Sequence, residues 1–213
     1  MKKIMNLVLF VALIGTLSEC KKGEDDPFIS FRSRKNRVVG EWTLTSGTEK
    51  TSTVSGNPST TINTDYTYTQ DSYIRTNTTM NQSGSTSVSS SGYFYYKITF
   101  RSNGEYTLVR ERGGSFTQES GVWNFTKGVG DYKRKEQIAL VPQITPNSLT
   151  TSRDVTKTFT LKELRNRVMT IVSEETDNAT TTYQNGSFSS TSSSSSSSIS
   201  ELTFERIKEK DKK

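Results

Sequence analysis

Between Tyr93 and Phe100 the chain alternates strictly, with Phe94, Tyr96, Ile98 and Phe100 on one face and Tyr95, Lys97 and Thr99 on the other. That period is the mark of a strand with one buried side. Asn103-Gly104 follows and predicts a two-residue hairpin turn, with both residues at positive φ. Tyr106 and Leu108 carry the inward face onto the next strand, Gly113-Gly114 predicts a second turn, and Phe116 to Phe125 predicts a third strand bearing Trp123. The three form an antiparallel meander.

The same reading extends in both directions. A strand opens at Val38 or Val39, with Trp42 and Leu44 on one face and Glu41, Thr43 and Thr45 on the other. Gln137 to Val141, Thr156 to Leu164, Arg167 to Glu174 and Ile199 to Ile207 supply further strands, the last with Leu202 and Phe204 inward. Asp26-Pro27 is a helix start, which predicts a short helix or turn over 27–37. Phe28, Ile29 and Phe31 would face inward there, and Arg32, Arg34, Lys35 and Arg37 would stay in water.

Two stretches break the pattern. Residues 47–92 are rich in Ser and Thr and read as a long, poorly buried strand, with a polar loop as the competing reading. Residues 176–198 are polar and of low complexity, and the run Ser192 to Ser198 within them has nothing to bury and is expected to stay mobile. The expectation is thus an all-β domain over 27–208 with a charged tail at 209–213. An open sheet of this size would expose two edges, so its eight or nine strands are expected to close into an antiparallel up-and-down barrel.

The N-terminus changes the picture of where this domain sits. Lys2 and Lys3 precede an apolar run from Ile4 to Leu17, too short to span a bilayer and of the length of a signal-peptide core. Leu17-Ser18-Glu19-Cys20 resembles a bacterial lipobox, which implies removal of 1–19 and acylation of Cys20. Residues 20–26 then form a flexible tether. Lys21 to Asp26 resembles the tether of surface lipoproteins from Bacteroidetes-type bacteria, and implies an outer-membrane location. Three acyl chains on one cysteine would hold the protein to a membrane essentially permanently.

Composition narrows the chemistry. The chain has no His and one Cys, which removes His-ligated zinc, His-based triads and disulfides. No metal or other cofactor is expected. The formal charge of +6 comes from basic residues scattered among acids, not gathered on one element, so no nucleic-acid partner is expected. Asp25-Asp26 and Glu174-Glu175 are sequence neighbours, which on a strand point to opposite faces and make no acid–base pair. The serines have no activating motif, and no catalytic residue is assigned.

Gly40-Glu41-Trp42 after a short helix resembles the opening of lipocalin and calycin barrels. Ile98 to Phe100, Asn103-Gly104, Gly121-Val122-Trp123 and Phe159 to Leu164 resemble the lipocalin-like lipoproteins of Bacteroidetes. The resemblance implies that Trp42 closes the barrel floor against Arg206 from the last strand. It also implies a small apolar or amphipathic ligand inside the barrel. Phe94, Tyr96, Phe100, Tyr106 and Trp123 are then candidates for the cavity lining, and equally candidates for plain core, since a barrel of eight strands can be filled by its own side chains. Three function classes stand at this point: a membrane-anchored small-molecule binder, which leads; a non-catalytic interaction lipoprotein with a filled barrel; and, well behind, a hydrolase.

Overall fold

The computed structural model describes residues 33–56, 59–127, 136–143, 156–185 and 188–207. One helical turn, α1 (Arg34–Val38), leads into ten strands: β1 (Gly40–Ser55), β2 (Thr60–Thr69), β3 (Ser72–Asn81), β4 (Gly84–Phe100), β5 (Glu105–Arg112), β6 (Ser115–Lys127), β7 (Glu136–Pro142), β8 (Lys157–Leu164), β9 (Val168–Asn185) and β10 (Phe188–Arg206). Each strand pairs antiparallel with its sequence neighbour, and β10 returns to pair with β1, closing a barrel.

The count is ten, not the eight or nine expected, and the reason lies in residues 47–92. These contain neither one strand nor a loop, but the far half of β1, all of β2 and β3, and the near half of β4. Only the upper part of β1, Ser46–Ser55, pairs with β2. Its first residues, Gly40 to Thr43, pair directly with Phe100 to Lys97 of β4. The β2–β3 hairpin is therefore wedged into the upper part alone, and the floor of the barrel is a ring of eight strands, β1 and β4 to β10.

The serine run is also a correction. Ser194 to Ser198 lie in β10, paired on one side with β9 and on the other with β1. A strand with two neighbours satisfies its backbone donors and acceptors through the ladder, whatever its side chains bury. Small hydroxyl side chains add cross-strand contacts such as Ser173–Ser200 at 2.8 Å and Thr78–Ser87 at 2.8 Å.

Burial divides the molecule along its strands. The fully buried side chains include Trp42, Leu44, Ile98, Leu140, Leu161 and Phe204, all in the lower ring. Each such side chain contributes about 1.5–3 kcal/mol on leaving water. Above them, every residue of β4 from Gly84 to Ser91 is exposed.

Two turns repay comparison with the expectation. Gly113 and Gly114 form the predicted two-residue turn, with φ of 56° and 83°. Asn103-Gly104 does not: only Gly104 has positive φ, at 92°. Gly104 N–H donates to the Arg101 carbonyl at 3.1 Å and Arg101 N–H to the Glu105 carbonyl at 2.8 Å, a wider loop in which one glycine absorbs the left-handed step.

Helix α1 starts at Ser33, whose Oγ accepts from Asn36 N–H at 3.3 Å; the expected start at Asp26-Pro27 lies outside the described residues. Its basic side chains are not a uniformly wet face. Arg37 is 3% exposed and donates to the Leu164 carbonyl, and Arg34 pairs with Glu136 of β7, so the helix is pinned to the barrel.

Candidate functional site

The floor is built first, because it decides which end of the barrel is open. Trp42 and Arg206 are directly opposed across β1 and β10. The guanidinium carbon of Arg206 lies 4.6 Å from the centroid of the Trp42 ring, a cation–π stack at a partly buried site. Arg206 Nη1 donates to the Val39 carbonyl at 2.7 Å and Nη2 to the Arg37 carbonyl, while Trp42 Nε1 donates to the Val38 carbonyl at 2.7 Å. Together they fasten the end of α1 to the bottom of the sheet. Gly40 has φ of +143°, and a Cβ there would stand 2.8 Å from Arg206 Nη1, so a side chain would displace the stack.

Opposite the floor the barrel opens into a cavity of about 360 Å³. Its wall is mixed. Phe94, Tyr96, Leu108 and Leu202 form the apolar base, and Glu49, Arg110, Arg112, Glu119, Lys157 and Glu175 supply charge nearer the rim. Tyr68 stacks on Phe94 at 4.4 Å and on Tyr66 at 5.7 Å, so a row of rings runs from the cavity onto the polar sheet above it.

Two polar networks line the mouth. In the first, Tyr68 Oη donates to Glu49 at 2.8 Å and Arg112 donates to both, its guanidinium lying 4.3 Å from the Tyr66 ring centroid. Burial, then the neighbouring Glu49 carboxylate, raises the Tyr68 phenol well above its ordinary value. Burial alone would lower the pKa of Arg112, but Tyr68 and Glu49 outweigh it and hold the guanidinium more firmly charged. In the second network, Tyr106 Oη donates to Glu119 at 2.6 Å and Lys157 donates to the same carboxylate. Burial works to raise the Glu119 pKa, but the hydrogen bonds from Lys157 and Tyr106 prevail and lower it. Burial and Glu119 raise the phenol of Tyr106, and burial pushes Tyr96 up to about 12.

No family model, curated protein or solved structure matches the chain. What the site can do is therefore read from its geometry. It holds fixed charges beside aromatic faces, an arrangement suited to retaining an amphipathic molecule.

Of the five aromatics picked out as candidate lining, the structure brings two to the cavity, Phe94 and Tyr96. Phe100 and Trp123 pack on each other edge-to-face at 5.3 Å in the core, and Trp123 Nε1 donates to the Arg101 carbonyl. The Tyr106 ring is fully buried, reaching the mouth only through its bond to Glu119. The charged lining was missed, yet part of it had a signal. Arg110 and Arg112 continue the inward row of Tyr106 and Leu108 two and four residues further on, and Glu119 precedes Trp123 by four. Glu49 and Tyr68 had none, because their strands lie in the polar stretch where no apolar alternation fixes the face. Cys20 lies outside the described residues. Among the described residues no group of three His, Cys, Asp or Glu side chains gathers as a metal site.

Proposed function

We propose that this chain is a membrane-anchored lipoprotein whose lipocalin-like barrel holds a small amphipathic ligand at its open mouth. The observation that carries the reading is the cavity: about 360 Å³, apolar at its base and charged at its rim, above a floor sealed by Trp42 and Arg206. That volume is within the range of small-ligand pockets, and the mixture of aromatic walls with a few fixed polar groups is what orients such ligands. The lipobox-like Leu17 to Cys20 supports attachment through acylated Cys20, and the tether that follows supports the outer membrane as the location. The resemblance of Gly40 to Trp42, and of Arg206 in the last strand, to lipocalin floors supports the family reading. Of the two ligand chemistries expected, the charged rim favours the amphipathic over the purely apolar.

Native mass spectrometry of a soluble form beginning at Lys21, purified from its own kind of host, tests this reading. The expected result is an extra mass that leaves on organic extraction. A clean apo mass, unchanged after incubation with a mixture of lipids, would overturn it. That outcome would favour the interaction-lipoprotein reading, which has its own supporting observation: the lower barrel is filled by its own side chains, and Ile74, Tyr93 and Phe116 stand more than half exposed on the outside, at 56%, 51% and 60%.

A further inference from the structure

The ionic side chains around the cavity are already matched, and that narrows what can enter it. Three cations, Arg110, Arg112 and Lys157, stand with three carboxylates, Glu49, Glu119 and Glu175, so the lining as a whole carries no net charge. Arg112 is paired with Glu49 at 3.3 Å, and Lys157 with Glu119. Arg110 sits diagonally across the β5–β6 ladder from Glu119 and acts electrostatically on the same carboxylate. Glu175 is exposed to water. A charged ligand entering this site would give up part of its hydration and gain no excess of counter-charge in return.

What the pairs leave open is hydrogen-bonding capacity. The bridge between Arg112 and Glu49 runs through Nη2 and Oε2, and Tyr68 Oη bonds to the same two atoms. On its flanks, Arg112 Nη1 donates to no acceptor and Glu49 Oε1 accepts from no donor among the described residues, and neither atom is buried. One charge-assisted pair therefore offers a free donor on one member and a free acceptor on the other. Hydrogen bonds to ionised partners are roughly twice as strong as those between neutral groups. Thr117, Gln118, Ser198 and Ser200 add hydroxyl and amide groups to the lining, over the apolar base of Phe94, Tyr96 and Leu202.

We infer that the polar head of the ligand is uncharged and carries neighbouring hydroxyl groups, as a sugar does. One hydroxyl donates to Glu49 Oε1, its neighbour accepts from Arg112 Nη1, and the apolar part lies against Phe94, Tyr96 and Leu202. A hydroxyl is donor and acceptor at once, so such a head completes both members of the bridge without breaking it. An anionic head at Arg112 competes with Glu49, already in place there, and is repelled by it. A cationic head at Glu49 meets Arg112 in the same way, and a zwitterion meets both. A glycolipid head and a free sugar share the favoured chemistry.

This inference rests on the reading of the barrel as a ligand binder, and the test separates the two. The form beginning at Lys21 keeps every described residue and is titrated calorimetrically, below micelle formation and at low ionic strength, with four amphiphiles sharing a dodecyl chain. Their heads are maltoside, phosphocholine, sulfate and trimethylammonium. The maltoside is expected to bind tightest. Glu49→Gln should weaken it about three- to tenfold and, by leaving Arg112 unmatched, tighten the sulfate probe; Arg112→Gln should weaken it similarly and tighten the trimethylammonium probe. Such opposite movements of two probes are not what loss of folding produces. The ranking of the four heads is read on the unaltered chain and needs neither variant to fold. Any charged head binding as tightly as the maltoside, or a maltoside affinity unchanged in both variants, overturns the inference while leaving the binder reading intact. Failure of all four probes overturns the inference together with the reading beneath it. Free maltose, titrated alongside, distinguishes the sources: binding with the same dependence on Glu49 and Arg112 assigns the site to a free sugar, and no binding assigns it to a sugar carried on an apolar chain.

Discussion

The lower and upper halves of β1 and β10 are continuous strands joined across a β-bulge between Leu44 and Ser46, yet they are held by different forces. Below, Trp42 faces Arg206 and Leu44 faces Phe204, with every one of these side chains packed into the floor or core. Above, Thr51 faces Ser198 and Thr53 faces Ser196, and what joins them is the backbone ladder. The difference teaches that closure of this barrel needs an apolar face at one end only. Once the floor fixes strand order and register, polar strands can continue the ladder upward, because each added residue orders backbone that already has a neighbour in place. The apolar end gives stability, and the polar end gives an open rim where charges remain hydrated.

The contrast can be broken at the floor first. Trp42→Ala should destabilise the protein by about 3–5 kcal/mol in chemical denaturation, as a truncation of a fully buried aromatic. Arg206→Met should lose about 2–3 kcal/mol, since the carbonyls of Val39 and Arg37 lose a charged donor and the Trp42 face loses its cation. A loss below about half a kcal/mol in either variant would show that the floor does not hold the barrel.

A third prediction probes the boundary between the halves. Burial pushes the Tyr96 phenol up to about 12, above the value of about 10 for an exposed tyrosine, so the unfolded chain gives up its proton first. The stability that the neutral phenol contributes is complete below pH ~10 and is lost as pH rises toward ~12, by about 2 kcal/mol. Tyr96→Phe should flatten that decline without abolishing it, because Tyr68 and Tyr106 are shifted in the same direction. An identical alkaline melting profile in wild type and variant would contradict the burial of Tyr96.

The smallest effect is expected at the top. Excising residues 176–197 and joining Glu175 to Ser198 through Asn-Gly keeps the last rim pair in register. It should change the stability of the floor by less than about 1 kcal/mol, because the buried side chains of the floor, such as Trp42, Leu44, Leu161 and Phe204, all lie outside the excised segment. A collapse of folding would mean that the polar strands carry stability of their own.

How much of this could be read from the chain follows the same division. Where apolar and polar residues alternate, as from Phe94 to Phe100, the face, the strand and its inward row are all legible, because burial imposes a period on side-chain type. The relation of Trp42 to Arg206 came from resemblance, and the structure places the two in contact. From 47 to 92 and 176 to 198 the signal vanishes: Ser and Thr are accepted on either face and in loops, so neither the strands nor Glu49 and Tyr68 could be assigned a direction. Arg110 and Arg112 were legible in principle, since they continue the row of Leu108, but a charged residue on an inward face reads as the end of a strand's buried side and not as the rim of a cavity.

Hydrogen exchange resolved by mass spectrometry tests the two-part account most directly. Amides of Trp42, Leu44 and Phe204 should exchange only through global unfolding, and those of Ser194 to Ser198 should be protected above the random-coil rate yet exchange orders of magnitude faster than the floor. Protection of the serine segment equal to that of the floor, or none at all, would contradict it: the first would make the barrel one cooperative unit, and the second would remove the polar strands that form its rim.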